Sequence, residues 1–319
     1  MAYSAGDSIL DDEYNNFVNS SSSPFGYNHF AGTGSTIYGL GQTAIATVSA
    51  GDTINAGQWN SLFTGIATIA NHVNISITSA SVSAGDAIAI KSSITGDLAN
   101  LAAQVALGSP SATAISERAG GATTQSGTWN STSTIERSVT FASANAMRHF
   151  FNAGGYLRAR ASISGTTDGA KDTVFASLGT AISDLDLLAH TTTKSGSGDT
   201  QVSFDGSNGF HDLGTSYTSK AKFSASDYSG YTSNTLEISA KLNSAASGGS
   251  ATVLTFKMVA VDGAGDETYS ADNADGVAAN PNLAPAMVLT ITEGYPTSAQ
   301  GLSANIQSAS NAEVSNSKS

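Results

Sequence analysis

The sequence predicts an α+β protein: a small helical N-terminal region with repeated turn-helix units, followed by a mainly antiparallel, sandwich-like β domain with one or two packed helices. Three observations predict it. Apolar residues in the first third recur at the spacing of three and four that one helix face requires. Beyond about residue 130 they alternate with polar residues, the period of a half-buried strand. Clusters of Gly, Ser and Asn separate the alternating runs, as in antiparallel sheets.

Ser4-Ala5-Gly6-Asp7-Ser8-Ile9 recurs as Ser49-Ala50-Gly51-Asp52-Thr53-Ile54. The match continues in register, Glu13-Tyr14-Asn15 and Phe17 against Gln58-Trp59-Asn60 and Leu62. A third copy, Ser83-Ala84-Gly85-Asp86-Ala87-Ile88, lacks the aromatic part. Ala-Gly-Asp is turn chemistry, and the residues after it fall on one helix face. The second copy extends through Ile66, Ile69 and Val73, giving a helix over 55–73. A further helix is expected over 92–107, with Ile94, Leu98, Leu101 and Val105 on one side. Tyr14, Phe17, Trp59 and Phe63 are the candidate partner-binding residues, since buried aromatics anchor interfaces; packing in a core is the other reading of the same pattern.

Residues 108–128 are rich in Ser, Thr, Ala and Gly without periodicity and read as a linker. The expected organisation is therefore a docking region at 1–110, a linker at 111–128, a β-rich domain at 129–295 and a polar tail at 296–319. In the β-rich domain Ile135, Arg137, Val139 and Phe141 alternate with polar residues. A short helix over 144–152 stops at Gly154-Gly155. The next strand sets Leu157, Ala159, Ala161 and Ile163 against Tyr156, Arg158 and Arg160. A helix is expected over 172–188, and strands near 200–204, 234–242, 251–261 and 286–292. The tail has no core of its own, so residence inside an assembly is the simplest thing to order it.

Composition narrows the chemistry. Only 12% of the 319 residues are charged, and 13 Lys+Arg against 25 Asp+Glu leave a formal net charge of −12. Such a chain lacks the cations that bind nucleic-acid phosphates. With no cysteine there are no disulfides or thiolate metal sites. No run approaches the ~20 apolar residues of a membrane span, and the start has no basic-then-apolar pattern of a secretory signal. A Ser/Thr/Gly-rich, charge-poor chain without cysteine has the composition of an extracellular surface protein, and without a secretory signal the expected route outside is assembly into a particle released by lysis.

No catalytic residues are assigned. The histidines (His29, His72, His149, His190, His211) lack zinc-binding spacing. His211-Asp212 has no Gly-x-Ser-x-Gly elbow to serve, and no lysine follows a glycine, so the phosphate-binding signature is missing. Asp184 and Asp186, two apart on a helix, would diverge rather than act as a glycosidase pair. The acidic loop 262–276 carries oxygen ligands suited to calcium, without EF-hand spacing; a solvated turn is the alternative, and no metal or cofactor is assigned. Arg148, Arg158 and Arg160 either grip a carboxylate-bearing partner or face solvent. Tyr217, Tyr228 and Tyr231 are candidate stacking surfaces for a glycan or lids over a core.

The stretch Thr140-Phe141-Ala142-Ser143-Ala144, running through Phe150-Phe151-Asn152-Ala153-Gly154-Gly155 into Tyr156-Leu157-Arg158-Ala159-Arg160-Ala161-Ser162, resembles virion structural proteins (tail-fibre-like or tail-associated) of tailed phages of marine bacteria and cyanobacteria. Tyr38-Gly39-Leu40-Gly41-Gln42-Thr43, the Ser49 repeat, Gln58-Trp59-Asn60-Ser61-Leu62 and Ile69-Ala70-Asn71-His72 are similar too. The likeness covers about 4–75 and 135–190, and the chain departs from the pattern around 190–235. It implies a component of the virion, a tail fibre or a tail- or neck-associated protein, rather than an enzyme. The favoured expectation is a homo-oligomer docked through its repeat-bearing N-terminal third to copies of itself and other virion proteins. A host-receptor or glycan-binding module, or a head decoration protein, is the alternative.

Overall fold

The computed structural model describes residues 11–31, 39–83, 91–106, 115–127, 129, 131–164, 170–226, 230–263, 286–296 and 310–319. It divides into two compact units, each assembled from separate stretches of chain. One comprises Met1–Ser116, Ala144–Gly155 and Tyr295–Ile306; the other comprises Glu117–Ser143, Tyr156–Gly294 and Gln307–Ser319.

The first unit is helical: α1 (Asp11–Asn19), α2 (Tyr27–Ala31), α3 (Ala56–His72), α4 (Lys91–Ala106) and α5 (Ala144–Asn152). Acidic Asp11, Asp12 and Glu13 complement the positive end of α1. Asn55 and Gln58 form a reciprocal capping box that starts α3. Gly65 is required where it stands, because a Cβ there would lie 2.6 Å from the Tyr27 ring. Ile66, Ile69, Ile94, Leu98 and Leu101 fill one apolar core with the aromatics of α1 and α3.

Between the helices, the described segments 39–49 and 75–83 have no strand partner among the described residues, and asparagines take the partner's place. Asn15 donates from Nδ2 to the Val48 carbonyl and accepts from the Val48 N–H, both at 2.8 Å. Asn60 does the same for Val82 (2.9 and 2.8 Å), and Asn28 for Ile45 (both 2.8 Å). A carboxamide offers one donor and one acceptor side by side, so it satisfies a whole backbone residue. Asn15 and Asn60 are equivalent positions of the repeat, and each holds the valine that precedes the next Ser-Ala-Gly-Asp. The repeat is thus a helix that clamps the segment leading to the following copy. The first copy's Ser4–Ile9 and the third copy's 84–88 lie outside the described residues.

The second unit holds two antiparallel sheets. The five-stranded sheet has the order β1 (Ile115–Gln125), β10 (Ala286–Pro296), β3 (Tyr156–Ser164), β4 (Asp184–Leu187), β5 (Thr192–Lys194). The six-stranded sheet has the order β11 (Ser310–Lys318), β2 (Thr132–Thr140), β9 (Val253–Val261), β8 (Thr235–Leu242), β7 (Thr218–Ser224), β6 (Thr200–Phe204). Helix α6 (Ala170–Ile182) packs on β3 of one sheet and on β7 and β8 of the other. Phe175 and Leu178 of α6 are fully buried, and Trp129 meets Phe175 edge-on at 5.1 Å.

Three expectations need correction. The span read as a linker at 111–128 is strand β1 from Ile115 to Gln125; residues 111–114 and 128 lie outside the described residues. The helix expected over 172–188 ends at Ile182. Ser183 turns the chain at φ 51°, a left-handed conformation, and β4 follows. The polar tail finds a partner within the chain: Ser310–Lys318 pairs antiparallel with β2 as β11, while 297–309 lie outside the described residues.

Candidate functional site

The four aromatics expected to dock a partner do come together, but in the interior. Tyr14 meets Trp59 edge-on at 5.2 Å, Phe17 lies 6.1 Å from Trp59, and Phe63 stacks on Trp59 at 6.0 Å. They are 0, 8, 2 and 4% exposed for Tyr14, Phe17, Trp59 and Phe63, so they are core and offer no surface to a second copy. The helical spacing that brought them into view is the spacing of a buried face.

The polar chemistry gathers instead on the outward face of the five-stranded sheet. β3 turns Leu157, Ala159 and Ala161 inward, and Tyr156, Arg158 and Arg160 therefore point outward. On β4, Asp184 and Asp186 share one face because strand residues two apart do, which reverses the divergence expected of a helix. The register sets Arg158 opposite Asp186 and Arg160 opposite Asp184. Each pair is a two-point fork. Arg158 donates from Nε to Asp186 Oδ1 at 2.6 Å and from Nη2 to Oδ2 at 2.9 Å. Arg160 donates from Nε to Asp184 Oδ1 at 2.5 Å and from Nη2 to Oδ2 at 2.8 Å. Arg158 Nη1 also reaches Glu117 Oε1 at 2.8 Å, and the Tyr156 hydroxyl donates to the same oxygen at 2.5 Å.

The electrostatics follow from this wiring. The Arg160 hydrogen bond holds the Asp184 carboxyl below its ordinary range, against burial. Burial, then the bond to Glu117, pushes the Tyr156 hydroxyl up to about 12. The Asp186 bond raises Arg158 above its ordinary value. Both arginines are thus engaged by the chain's own carboxylates, and the two-point pairs join β3 to β4 while Glu117 joins β1. Arg148 takes no part. It is buried on α5 in the first unit, beside Asn145.

A second polar seam lies inside this unit. Arg137, on the apolar side of β2, is 5% exposed and donates to Thr123 Oγ1 at 2.5 Å and, from Nε, to Asn311 Oδ1 at 3.0 Å. Gly120 and Gly121 of β1 leave the room: a Cβ would lie 2.6 Å from Asn311 and 2.8 Å from Arg137 respectively. On the outer face of the other sheet, Tyr217 sits within 4.3 Å of Lys241 Nζ and 3.9 Å of Lys257 Nζ, so cations already occupy its ring. Tyr231 is half-buried, and Tyr228 lies outside the described residues. Asp212 accepts from the Gly209 N–H at 2.9 Å and so caps a turn rather than orienting a serine.

Lys220, fully buried and bonded to Asp205, went unseen in the sequence. Alternation in Thr218–Phe223 places Lys220 and Lys222 together on the wet face, but a bulge between Ser219 and Ala221 turns Lys220 inward. Among the described residues no group of three or more His, Asp or Glu is arranged to hold a metal. Of the acidic loop 262–276, residues 264–276 lie outside the described residues. No helix among the described residues is long and apolar enough to cross a membrane. Comparison with known proteins gives no match: no family model, no curated protein and no solved structure is similar to the chain.

Proposed function

We propose that this chain is a structural component of a tailed-phage virion, a tail fibre or a tail- or neck-associated protein that works as a homo-oligomer. The observation that carries the reading is the use to which the polar side chains are put. Asn15, Asn28 and Asn60 hold extended backbone; Arg137 closes a seam on β11; Arg158 and Arg160 are forked to Asp186 and Asp184. Groups spent in this way build shape, and none of them converges on a site for a reacting atom. The likeness of residues 139–162 to virion proteins supports the same reading, because that stretch forms the end of β2, α5 and the start of β3.

Docking falls to surfaces other than the buried aromatics. Stable interfaces hide about 1,200–2,000 Å², and a surface of that size is what the homo-oligomer requires. Native mass spectrometry of the purified chain at micromolar concentration, with proteomics of purified particles, tests the reading. A defined homo-oligomer found in particles is expected; a lone monomer absent from particles overturns it.

A further inference from the structure

We propose that Lys220 and Asn208 become joined by an isopeptide bond that the fold itself makes, with Asp205 carrying the protons. Lys220 is the extra residue of the β7 bulge, and its side chain is 0% exposed. Its Nζ donates to Asp205 Oδ2 at 2.9 Å and to the main-chain oxygen of Asn208 at 3.2 Å. The other carboxylate oxygen, Asp205 Oδ1, accepts from Asn208 Nδ2 at 2.8 Å. One carboxylate therefore bridges a buried primary amine and a carboxamide. Aminolysis of an amide needs this set: a nucleophile, an acyl group, and a proton carrier in contact with both the entering and the leaving nitrogen.

The loop that presents these groups is tied down on every side. Asp205 donates its N–H to the Lys220 carbonyl at 2.9 Å, and Thr192 donates its N–H to the Gly206 carbonyl at 3.2 Å. The Thr192 hydroxyl donates to the Asn208 carbonyl at 2.7 Å, and the Phe210 N–H to the Leu188 carbonyl at 2.8 Å. Bonds from one carboxylate to both groups keep them near each other, which lowers the entropy cost of bringing Nζ to Cγ. The lysine end is dry while Asn208 itself is exposed, so the leaving group departs into water.

The step balances without any other reagent. The Lys220 ammonium passes a proton to Asp205, and the freed Nζ lone pair adds to Cγ of Asn208. Asp205 returns that proton to Nδ2; the tetrahedral carbon then collapses, the Cγ–Nδ2 bond breaks, and a second proton passes from Nζ to the departing nitrogen. An ammonium ion leaves with the positive charge of the lysine. A secondary amide remains, and Asp205 is a carboxylate before and after.

Intact-mass measurement of the full chain tests this. The expected mass is one ammonia below that of the sequence, and fragmentation is expected to give a branched peptide linking Asn208 to Lys220. Asn208-Gly209 has a second route to the same loss, since the Gly209 nitrogen, unhindered by a Cβ, can close on Asn208 Cγ as a succinimide without any lysine. Lys220→Arg separates the two: it is expected to restore the full mass. Asp205→Asn is likewise expected to abolish the link. An unshifted wild-type mass, or an ammonia loss that persists in Lys220→Arg, overturns the proposal.

Discussion

Asp97 of α4 is 2% exposed and collects four donors at once: the N–H and hydroxyl of Thr78 and the N–H and hydroxyl of Ser79. Burial alone would raise its pKa, but these bonds outweigh burial and hold the carboxyl below its ordinary value. Because the folded value lies below the unfolded one, the stabilisation is complete above the unfolded value and is lost as pH falls through the folded one. The melting temperature of the wild type is therefore expected to fall as pH drops below about 4, the ordinary carboxylate range, and Asp97→Ala to show less of that acid loss. At neutral pH Asp97→Ala should cost about 2–4 kcal/mol, since two backbone N–H groups lose a buried acceptor. A variant as stable as the wild type, measured by denaturant unfolding, would show that water replaces the carboxylate. The asparagine clamps are the same device without charge. Asn15 and Asn60 stand out in the sequence as matching positions of the repeat, but what they hold lies 33 and 22 residues away and no local pattern reveals it.

Periodicity announced helices α3 and α4 and strands β2, β3, β8 and β10, because burial against a core imposes it. Helix α5 was bounded by Ser143 and Gly154-Gly155 instead, and the short α2 and the bulged β7 bury apolar residues in runs too brief or too irregular to show a period. β1 and β11 were missed for a physical reason. The inner positions of β1 carry Gly, Thr and Gln to make room for Arg137, and β11 exposes nearly every side chain. Asp184-Leu185-Asp186-Leu187 alternates as a strand should, yet Ile182 and Leu185 also match helical spacing, so the left-handed Ser183 decided what the pattern left open. That one misplaced boundary hid the arginine–aspartate pairs. Gly294 shows how tightly this face is fitted: it pairs with Tyr156, whose ring lies 2.2 Å from where a Cβ would stand. Gly294→Ala is expected to destabilise by about 1–3 kcal/mol through overpacking. The same change made in a Tyr156→Ala background should cost much less, and a double-mutant cycle by thermal unfolding that shows simple additivity would disprove the contact.

At the scale of the whole molecule, the six-stranded sheet ends at β6 and β11, and the same device marks both edges. The register slips at Val202 in β6 and at Val314 in β11, and these extra residues are 55 and 54% exposed. A bulge breaks the even row of N–H and C=O groups that another strand would need, so both edges are blunted against open-ended pairing. β2, one strand in, has no such defence: nine consecutive residues pair with β9 without a register shift. β11 buries little apolar surface of its own and is held by main-chain pairing and by side-chain contacts such as Asn311 to Arg137. Removing residues 310–319 therefore takes away few core contacts while baring a regular edge and leaving Arg137 without its Asn311 bonds. The shortened chain is expected to remain folded by circular dichroism and to form larger, concentration-dependent species than the full chain in analytical ultracentrifugation. Pro at Ser138, which removes an N–H and stiffens the bared strand, should suppress that growth. A truncated chain that sediments like the full one, at every concentration tried, would mean that β11 does not guard this edge.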